Sequence, residues 1–333
     1  MNGRAMDIHF VPQYVRAYEA HEGGKVEVFD FAHALGEVRH IFLRRSLSGF
    51  VGFEGYSDII TPYGYGGPVI TRCEKGGEGA LCGAYRDAFD RYCAGQRIVC
   101  AFTRFHPIFK NDALFSCCYD EVSVARKIVI IDLDCDVYRQ EFSRSARRAV
   151  CNAENNGVRV AYDPGFERLE DFLEIYYSTM KKNGALRYYY FDGPFFERLI
   201  RDNPGHVFLA HACKDERIIA SSLFLGESGI EYGQFCGTRE GCYAFDGYTA
   251  ILARYAMDAA AGGSACLVLG GGTTGDAEDP ILNHKKKFSR SLHDFCVGKR
   301  IYDRAAYEAL CQMAGVTLAE NKTEGFFPAY RTR

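Results

Sequence analysis

A glycine-rich loop followed by three consecutive lysines is the part of the sequence best suited to chemistry. The loop LGGGTTGD directly follows an apolar run, and the lysines lie shortly after it in NHKKKFS. Backbone N–H groups of such loops can cradle an anion. On an extended or irregular segment, Lys285 and Lys287 would share one side and Lys286 the other. Neither G-x-x-x-x-G-K-[ST] nor G-x-G-x-x-G is present, so a P-loop or Rossmann site is not indicated. The alternative interpretation is a tight turn followed by a solvated cationic face.

Two stretches in the first third of the chain also carry side chains suited to a binding site. TPYGYGGPV presents Tyr63 and Tyr65 between glycines and prolines, which permit a close approach of the backbone to a ligand. FTRFHP places Arg104 and His106 on one face of a strand end that Pro107 halts. The alternative interpretations are a surface turn for the first stretch and an ordinary strand terminus for the second.

The composition is that of a globular protein with more than one domain. The chain has 333 residues, 47% of them hydrophobic and 25% charged, and a length above about 200 residues favours two domains. The net charge of −3 does not indicate the broad basic surface that binds nucleic acid, so no DNA partner is expected. No apolar run is long enough to span a membrane, and MNGRAMDIHF lacks the apolar region of a signal peptide. We therefore expect a cytoplasmic protein.

The cysteines do not indicate a metal site. There are 14 of them, scattered along the chain without any C-x-x-C pair or zinc-finger spacing. We interpret them as reduced thiols and expect no bound metal.

The predicted elements alternate between strands and helices, which indicates an α/β or α+β fold. KIVIIDL is typical of a buried strand, GALCGAYRDAFDRYCAG has helical spacing, and a long amphipathic stretch begins at Asp136. The change of pattern at Asp136 predicts a first domain at 1–135 and a second at 136–333. A helix predicted at about 303–315 could pack back on the first domain.

In order and wording, these motifs resemble the Fem family of peptidoglycan-bridge aminoacyltransferases and their acyltransferase relatives in the GNAT superfamily. The resemblance implies two tandem GNAT-like domains packed around a central cleft that binds substrate. Such proteins move an aminoacyl group from a charged tRNA, or an acyl group from a thioester, onto a primary amine. The matching pieces, in chain order, are TPYGYGGPV, FTRFHP, FSRSARRAVCNAENNGVRV, IYYSTMKKNGALRYYYF and LGGGTTGD with NHKKKFS.

The resemblance also assigns a catalytic role to Lys285. The family's segment reads roughly F-K-x-x-F-G, and its lysine stabilises the oxyanion that develops during acyl transfer. Lys285 takes that position here, with His284 in place of the usual aromatic residue and Ser289 in place of the small one. A fixed donor or cation at an oxyanion contributes about 10²- to 10³-fold to the rate.

The remaining site residues are expected from their placement. Tyr63, Tyr65, Arg104 and His106 would line the acceptor side. Tyr232 and Gln234, on the predicted central strand of the second domain, would lie near the reacting carbonyl. Gly271 and Lys287 complete the predicted substrate-binding set.

The sequence therefore predicts an acyltransferase that forms an amide, with a peptidoglycan or polysaccharide precursor of the cell envelope as acceptor. The donor would be an acyl-CoA or an aminoacyl-tRNA, whose acceptor end could contact the lysines, and no tightly bound cofactor is expected. The GNAT pyrophosphate loop is not recognisable in GTREGCYAFDGYTAI. Two alternatives stay open: an acyl-CoA-dependent N-acetyltransferase acting on a small amine, and a catalytically silent double-GNAT module that binds a nucleotide-linked sugar or peptide.

Overall fold

The protein has a mixed α/β fold, as the sequence predicts. We describe it from a computed structural model, in which residues 6–317 and 326–332 are described. The strands are β1 Lys25–His33, β2 Gly36–Ser46, β3 Ser57–Ile60, β4 Val69–Cys73, β5 Ile98–Arg104, β6 Glu121–Asp132, β7 Arg159–Tyr162, β8 Val207–Lys214, β9 Arg217–Glu227, β10 Ile230–Thr238, β11 Cys266–Gly271 and β12 Leu292–Ile301. The helices are α1 Pro12–Ala17, α2 Glu19–Glu22, α3 Glu78–Gly95, α4 Asn111–Leu114, α5 Arg144–Asn155, α6 Leu169–Lys182, α7 Gly193–Asp202, α8 Gly247–Ala261, α9 Pro280–Lys285 and α10 Arg304–Met313.

The described chain divides into two compact units. Unit 1 comprises residues 9–125, 295–317 and 326–332, and unit 2 comprises residues 6–8 and 126–294. The boundary between the two units falls between Ala125 and Arg126, inside β6. The sequence pattern instead predicts a boundary between residues 135 and 136. The chain returns to unit 1 at Phe295, because the second half of β12 pairs with β5. Helix α10 therefore belongs to unit 1.

Unit 1 is built on a sheet in which β2 pairs antiparallel with β1, β3 and β4. Strand β5 joins β3 in parallel and pairs antiparallel with β12. The predicted helix α3 packs here through Leu81, Tyr85, Phe89 and Cys93, which recur every four residues and so share one face. Its rings meet buried side chains of β2 such as Phe42.

Unit 2 has the strand order β7-β8-β9-β10-β11-β6. Each neighbouring pair is antiparallel except β10 and β11, which run parallel. Helices α5 and α8 share an apolar cluster with strand residues such as Ile131, Ala220 and Leu267. The region of α6 and α7 instead packs its aromatic rings around Phe235 of β10. Strands β8, β9 and β10 follow one another as two successive antiparallel hairpins.

The amphipathic stretch that begins at Asp136 is two elements rather than the single helix that its periodicity suggested. Val137–Glu141 forms a π-helical turn, and the chain then becomes extended at Phe142 and Ser143. The hydroxyl oxygen of Ser143 accepts a hydrogen bond from the N–H of Ala146 at 3.2 Å, which caps a new helix. Helix α5 therefore begins at Arg144, because a Ser cap competes with continued helix at this point.

Candidate active site

Strands β10 and β11 of unit 2 separate from each other close to several of the candidate residues. The parallel pairing of β10 with β11 runs from Ile230 opposite Cys266 to Tyr232 opposite Val268, and both strands continue beyond it. Strand β10 shifts register on β9 between Gly233 and Phe235, which makes Gln234 the extra residue of a bulge. Strand β11 shifts register on β6 directly after Val268. The unpaired ends of the two strands thus begin at the same level.

The N–H groups of the glycine loop after β11 bind the carboxylate of Asp279. Asp279 is buried, and its Oδ2 accepts hydrogen bonds from the N–H groups of Thr273 and Thr274 at 2.8 and 3.0 Å. Both threonine hydroxyls donate to the same oxygen, at 2.8 and 3.2 Å. Its Oδ1 accepts from the N–H groups of Ile281 and Leu282. The expectation that these N–H groups cradle an external anion is therefore wrong for Thr273 and Thr274, because Asp279 occupies them.

The same contacts fix the ionisation of Asp279. Burial raises the pKa of a carboxyl group, but the hydrogen bonds that Thr273, Thr274, Ile281 and Leu282 donate outweigh burial here. The pKa of Asp279 lies well below its usual range. As an ionised N-cap followed by Pro280 at the first helical position, Asp279 starts α9.

Helix α9 turns the side chain of Lys285 inward. Lys285 is its last residue, and its Nζ donates a hydrogen bond to the carbonyl oxygen of Gly271 at 2.8 Å. Lys287 lies in the following turn and is exposed. The predicted pairing of Lys285 and Lys287 on one side of an extended segment is wrong, because the segment is helical and turned. Gly271 and Lys285 are brought together, whereas Lys287 lies outside this contact.

The surroundings of Lys285 weaken its hold on a proton. Burial lowers the pKa of its ammonium group to about 8, and the charge of Arg126 acts in the same direction. Cys236 of β10 and Asp279 oppose this shift. At pH 7 the group is still mainly charged, so it remains a cation in a partly desolvated setting. That combination suits the stabilisation of negative charge that develops on an oxygen.

His284 is a functional candidate that sequence reasoning noted only as a replacement for an aromatic residue. Its ring lies 5.9 Å from the ring of Tyr248 and 5.6 Å from that of Phe288. Its Nε2 is buried and has no hydrogen-bond partner among the described residues. Burial lowers its pKa, and the charges of Lys287 and Lys285 lower it further. The imidazole is therefore neutral at pH 7 and able to accept a proton.

The two candidates on β10 have different surroundings. The hydroxyl of Tyr232 is buried and donates a hydrogen bond to Oδ2 of Asp7 at 2.7 Å. The Nε2 of Gln234 is buried at the bulge, without a hydrogen-bond partner in the ranges that the structure describes. Leaving a buried polar group unpaired costs about 1–3 kcal/mol, so Gln234 is the better candidate for a ligand contact.

The stretch TPYGYGGPV is a packed loop of unit 1 rather than a surface turn. Asn111 binds it through Nδ2, which donates to the carbonyl oxygens of Gly66 and Pro68 at 2.8 and 2.9 Å. Gly67 has a φ of +87°, and a Cβ there would lie 2.9 Å from Cγ2 of Thr103. Glycine is therefore required for both conformation and space.

The four candidate residues of unit 1 lie in and around this loop. The ring of Tyr65 is 5.5 Å from that of His106. Tyr63, two residues earlier in the chain, is half-buried. Arg104 donates to the carbonyl oxygen of Thr61 at 2.6 Å. His106 is buried, and its Nδ1 accepts hydrogen bonds from the N–H groups of two following residues, 108 and 109. Arg104 and His106 thus help to hold the loop in place.

The sequence of unit 2 matches a known domain family. Residues 138–286 match the sequence model of the acetyltransferase (GNAT) domain. The matched segment contains strands β10 and β11, the loop closed by Asp279, and Lys285. The predicted resemblance to GNAT proteins is confirmed for this part of the chain.

The fold as a whole is shared with several solved structures. FemX superposes with a TM-score of 0.70 at 12% identity, over 90% of this chain and 93% of FemX. A C-terminal domain assigned to a lysylphosphatidylglycerol synthetase from Agrobacterium fabrum gives 0.56 at 9% identity, over 94% and 96% of the two chains. L-PGS from Bacillus licheniformis gives 0.51 at 12% identity, over 93% and 98%. At these identities the likeness concerns the fold. No curated protein matches the chain by sequence.

Within residues 6–317 and 326–332, no helix is long and apolar enough to cross a bilayer.

Proposed function

We propose that this protein is an N-acyltransferase that moves an acyl or aminoacyl group from an activated ester or thioester onto a primary amine. The observation that carries the proposal is the contact of Lys285 with Gly271 beside the parting strands of a GNAT domain. The donor would be an acyl-CoA or an aminoacyl-tRNA. Both present a carbonyl carbon with a good leaving group, and neither requires a tightly bound cofactor.

The reaction needs a cation or hydrogen-bond donor at one oxygen. The amine attacks the carbonyl carbon, the C=O bond becomes a C–O⁻ single bond, and the bond to sulfur or oxygen of the donor then breaks. Lys285 would stabilise this oxyanion, since its Nζ keeps two N–H groups besides the one on Gly271. Gln234 would donate from its buried Nε2 to the same carbonyl.

The amine must also lose a proton before the amide can form. The neutral ring of His284 is the nearest candidate acceptor in sequence to Lys285, and its Nε2 has no partner among the described residues. We assign it as the general base. The leaving thiolate or alkoxide would take up a proton, which balances the overall reaction.

We further propose an amine-bearing precursor of the cell envelope as acceptor, and the cytoplasm as the compartment. The fold shared with FemX and with a domain assigned to a lysylphosphatidylglycerol synthetase supports this choice. Tyr63, Tyr65, Arg104, His106, Tyr232 and Lys287 would contribute to holding the substrates.

A mass-shift screen tests the proposal. Purified protein is incubated with a panel of acyl-CoAs and charged tRNAs against candidate amines, and products are detected by the mass of the new amide. Amide formation that requires Lys285 supports the proposal. Tight binding of a nucleotide-linked sugar or peptide, with no product from any donor, would instead identify a silent binding module.

A further inference from the structure

A groove on unit 2 carries a concentration of arginines that the proposed chemistry does not use. It has a volume of about 620 Å³ and follows α5 and the π-helical turn before it. We call it the arginine groove. Its lining includes Tyr138, Arg144, Arg147, Arg148, Asn152 and Asn155.

Two of these arginines are available to a ligand. Arg144 and Arg148 are exposed and lie four residues apart, on one face of α5. No hydrogen bond or ion pair engages either guanidinium group in the described part of the chain, and no acidic side chain lines the groove. Like charges at this spacing destabilise a helix, and a bound anion would remove that penalty.

Arg147 has a structural role that Arg144 and Arg148 do not share. Its guanidinium group donates to the backbone carbonyl oxygens of Tyr138, Arg139 and Phe142. These contacts hold the π-helical turn against the start of α5 and so shape one wall of the groove. Arg147 therefore builds the groove, while Arg144 and Arg148 provide its charge.

The groove is connected to the candidate active site through α8. Nδ2 of Asn152 donates to Oδ2 of Asp246 at 2.7 Å, directly before the first residue of α8. Tyr248, in the first turn of that helix, contacts the ring of His284. The groove residue Asn152 and the ring of His284 thus both contact the start of α8.

We propose that the arginine groove binds phosphate esters of a nucleotide ligand. Guanidinium groups pair with phosphate oxygens in a bidentate manner, and the Tyr138 ring and Asn155 amide suit a base or a sugar. From Arg144 to Asn155 the helix rises about 16 Å, which is longer than a pyrophosphate and suits an extended ligand. A mononucleotide and an RNA strand share this chemistry. The proposal concerns binding and does not depend on acyl transfer.

Cys151 makes the proposal directly measurable, because it lines the groove and is exposed. Its rate of alkylation by iodoacetamide is followed by peptide mass spectrometry, with the exposed Cys117, which does not line the groove, as an internal control. The probes are adenosine 3′,5′-bisphosphate and a single-stranded RNA of about 12 nucleotides. A bound probe should slow alkylation of Cys151 about tenfold at ten times its Kd, and leave Cys117 unchanged.

The variants separate the groove from general electrostatics. The double variant Arg144→Gln/Arg148→Gln should lose the protection, while the exposed Arg159→Gln in β7, outside the groove, should keep it. Protection by the bisphosphate supports a mononucleotide site. Protection by RNA alone, weakening between about 50 and 200 mM salt, supports a strand-binding site.

Three results would overturn the proposal. They are no protection of Cys151 by either probe, equal protection in the double variant, and equal protection by polyglutamate, which carries charge without phosphate. None of these results bears on whether amide formation occurs.

Discussion

Nζ of Lys285 donates a hydrogen bond to the carbonyl oxygen of Gly271, 14 residues earlier in the chain, at 2.8 Å. The contact closes a segment that leaves β11, passes the glycine loop and returns through α9. Asp279 organises that segment by pairing with the loop on one side and capping the helix on the other. The position of the lysine therefore depends on a carboxylate that takes no part in the proposed chemistry.

Asp279→Asn should destabilise the protein and misplace Lys285. The amide cannot accept all the hydrogen bonds of the carboxylate, so we expect a loss of about 1–3 kcal/mol in the free energy of unfolding. Because folding lowers the pKa of Asp279, its contribution is present above the ordinary carboxyl pKa and is lost as pH falls below it. The stability difference between variant and wild type should thus be constant from neutral pH to about pH 5 and shrink in stronger acid. Denaturant titrations at several pH values measure it. Asp276→Asn, at an exposed position in the same loop, is the control.

Gly272→Ala should produce the same defect by a steric route. A Cβ at this position would lie 2.2–2.7 Å from the carboxylate atoms of Asp279, so the carboxylate or the loop must move. We expect a loss of about 2 kcal/mol or more in the free energy of unfolding. Gly83→Ala provides the contrast, since it lies inside α3 with open space around it and should stabilise by about 0.5–1 kcal/mol. Equal stability of the Gly272 variant and the wild type would show that the loop tolerates displacement of Asp279.

His284→Phe tests the proposed general base with little change in packing. A phenyl ring can keep the contacts with Tyr248 and Phe288 but has no proton acceptor. We expect a fall of about 10²-fold in kcat and loss of the acidic limb of the pH–rate profile, with an unchanged melting temperature. His33→Phe, at an exposed position in unit 1, should behave as wild type. A His284 variant with the wild-type pH profile would remove this residue from the mechanism.

The ionisation of Lys285 should be visible in stability as well as in rate. Folding lowers its pKa from 10.5 to about 8, so the folded state is penalised at pH values where the lysine is charged. Relative to Lys285→Met, the wild type should gain up to about 3 kcal/mol as pH rises from about 8 to 10.5. Parallel denaturation of both proteins across this range measures the difference. A difference that does not vary with pH would mean that folding leaves the pKa of Lys285 unchanged.

The sequence predicted the elements of unit 2 better than the position of its side chains. The apolar run KIVIIDL indicated β6 and the amphipathic stretch after Asp136 indicated α5, because such signals are local. The inward position of Lys285 was expected from the family resemblance and not from the local pattern, since three consecutive lysines are typical of a solvated face. One signal was present: Asp279 followed by Pro280 is typical of a helix start, and a helix there turns Lys285 away from Lys287.

Contacts between residues far apart in the chain could not be predicted from the sequence pattern. Tyr232 donates to Asp7, which lies 225 residues away in the chain. The bulge at Gln234 depends on how β10 meets β9, and no motif in the sequence marks it. Likewise, the N–H groups of the glycine loop suggested an external anion, but the anion is a side chain supplied by the fold itself.

The rate of a single acyl-transfer turnover in Lys285→Ala is the most direct test of the proposed role of Lys285. With saturating donor and amine, we expect a rate about 10²- to 10³-fold below wild type, with an unchanged circular dichroism spectrum. Lys286→Gln, whose parent side chain binds Ala277 and Asn283 instead, should stay within about threefold of wild type. A folded Lys285→Ala protein that turns over at the wild-type rate would contradict the assignment of Lys285 as the group that stabilises the oxyanion.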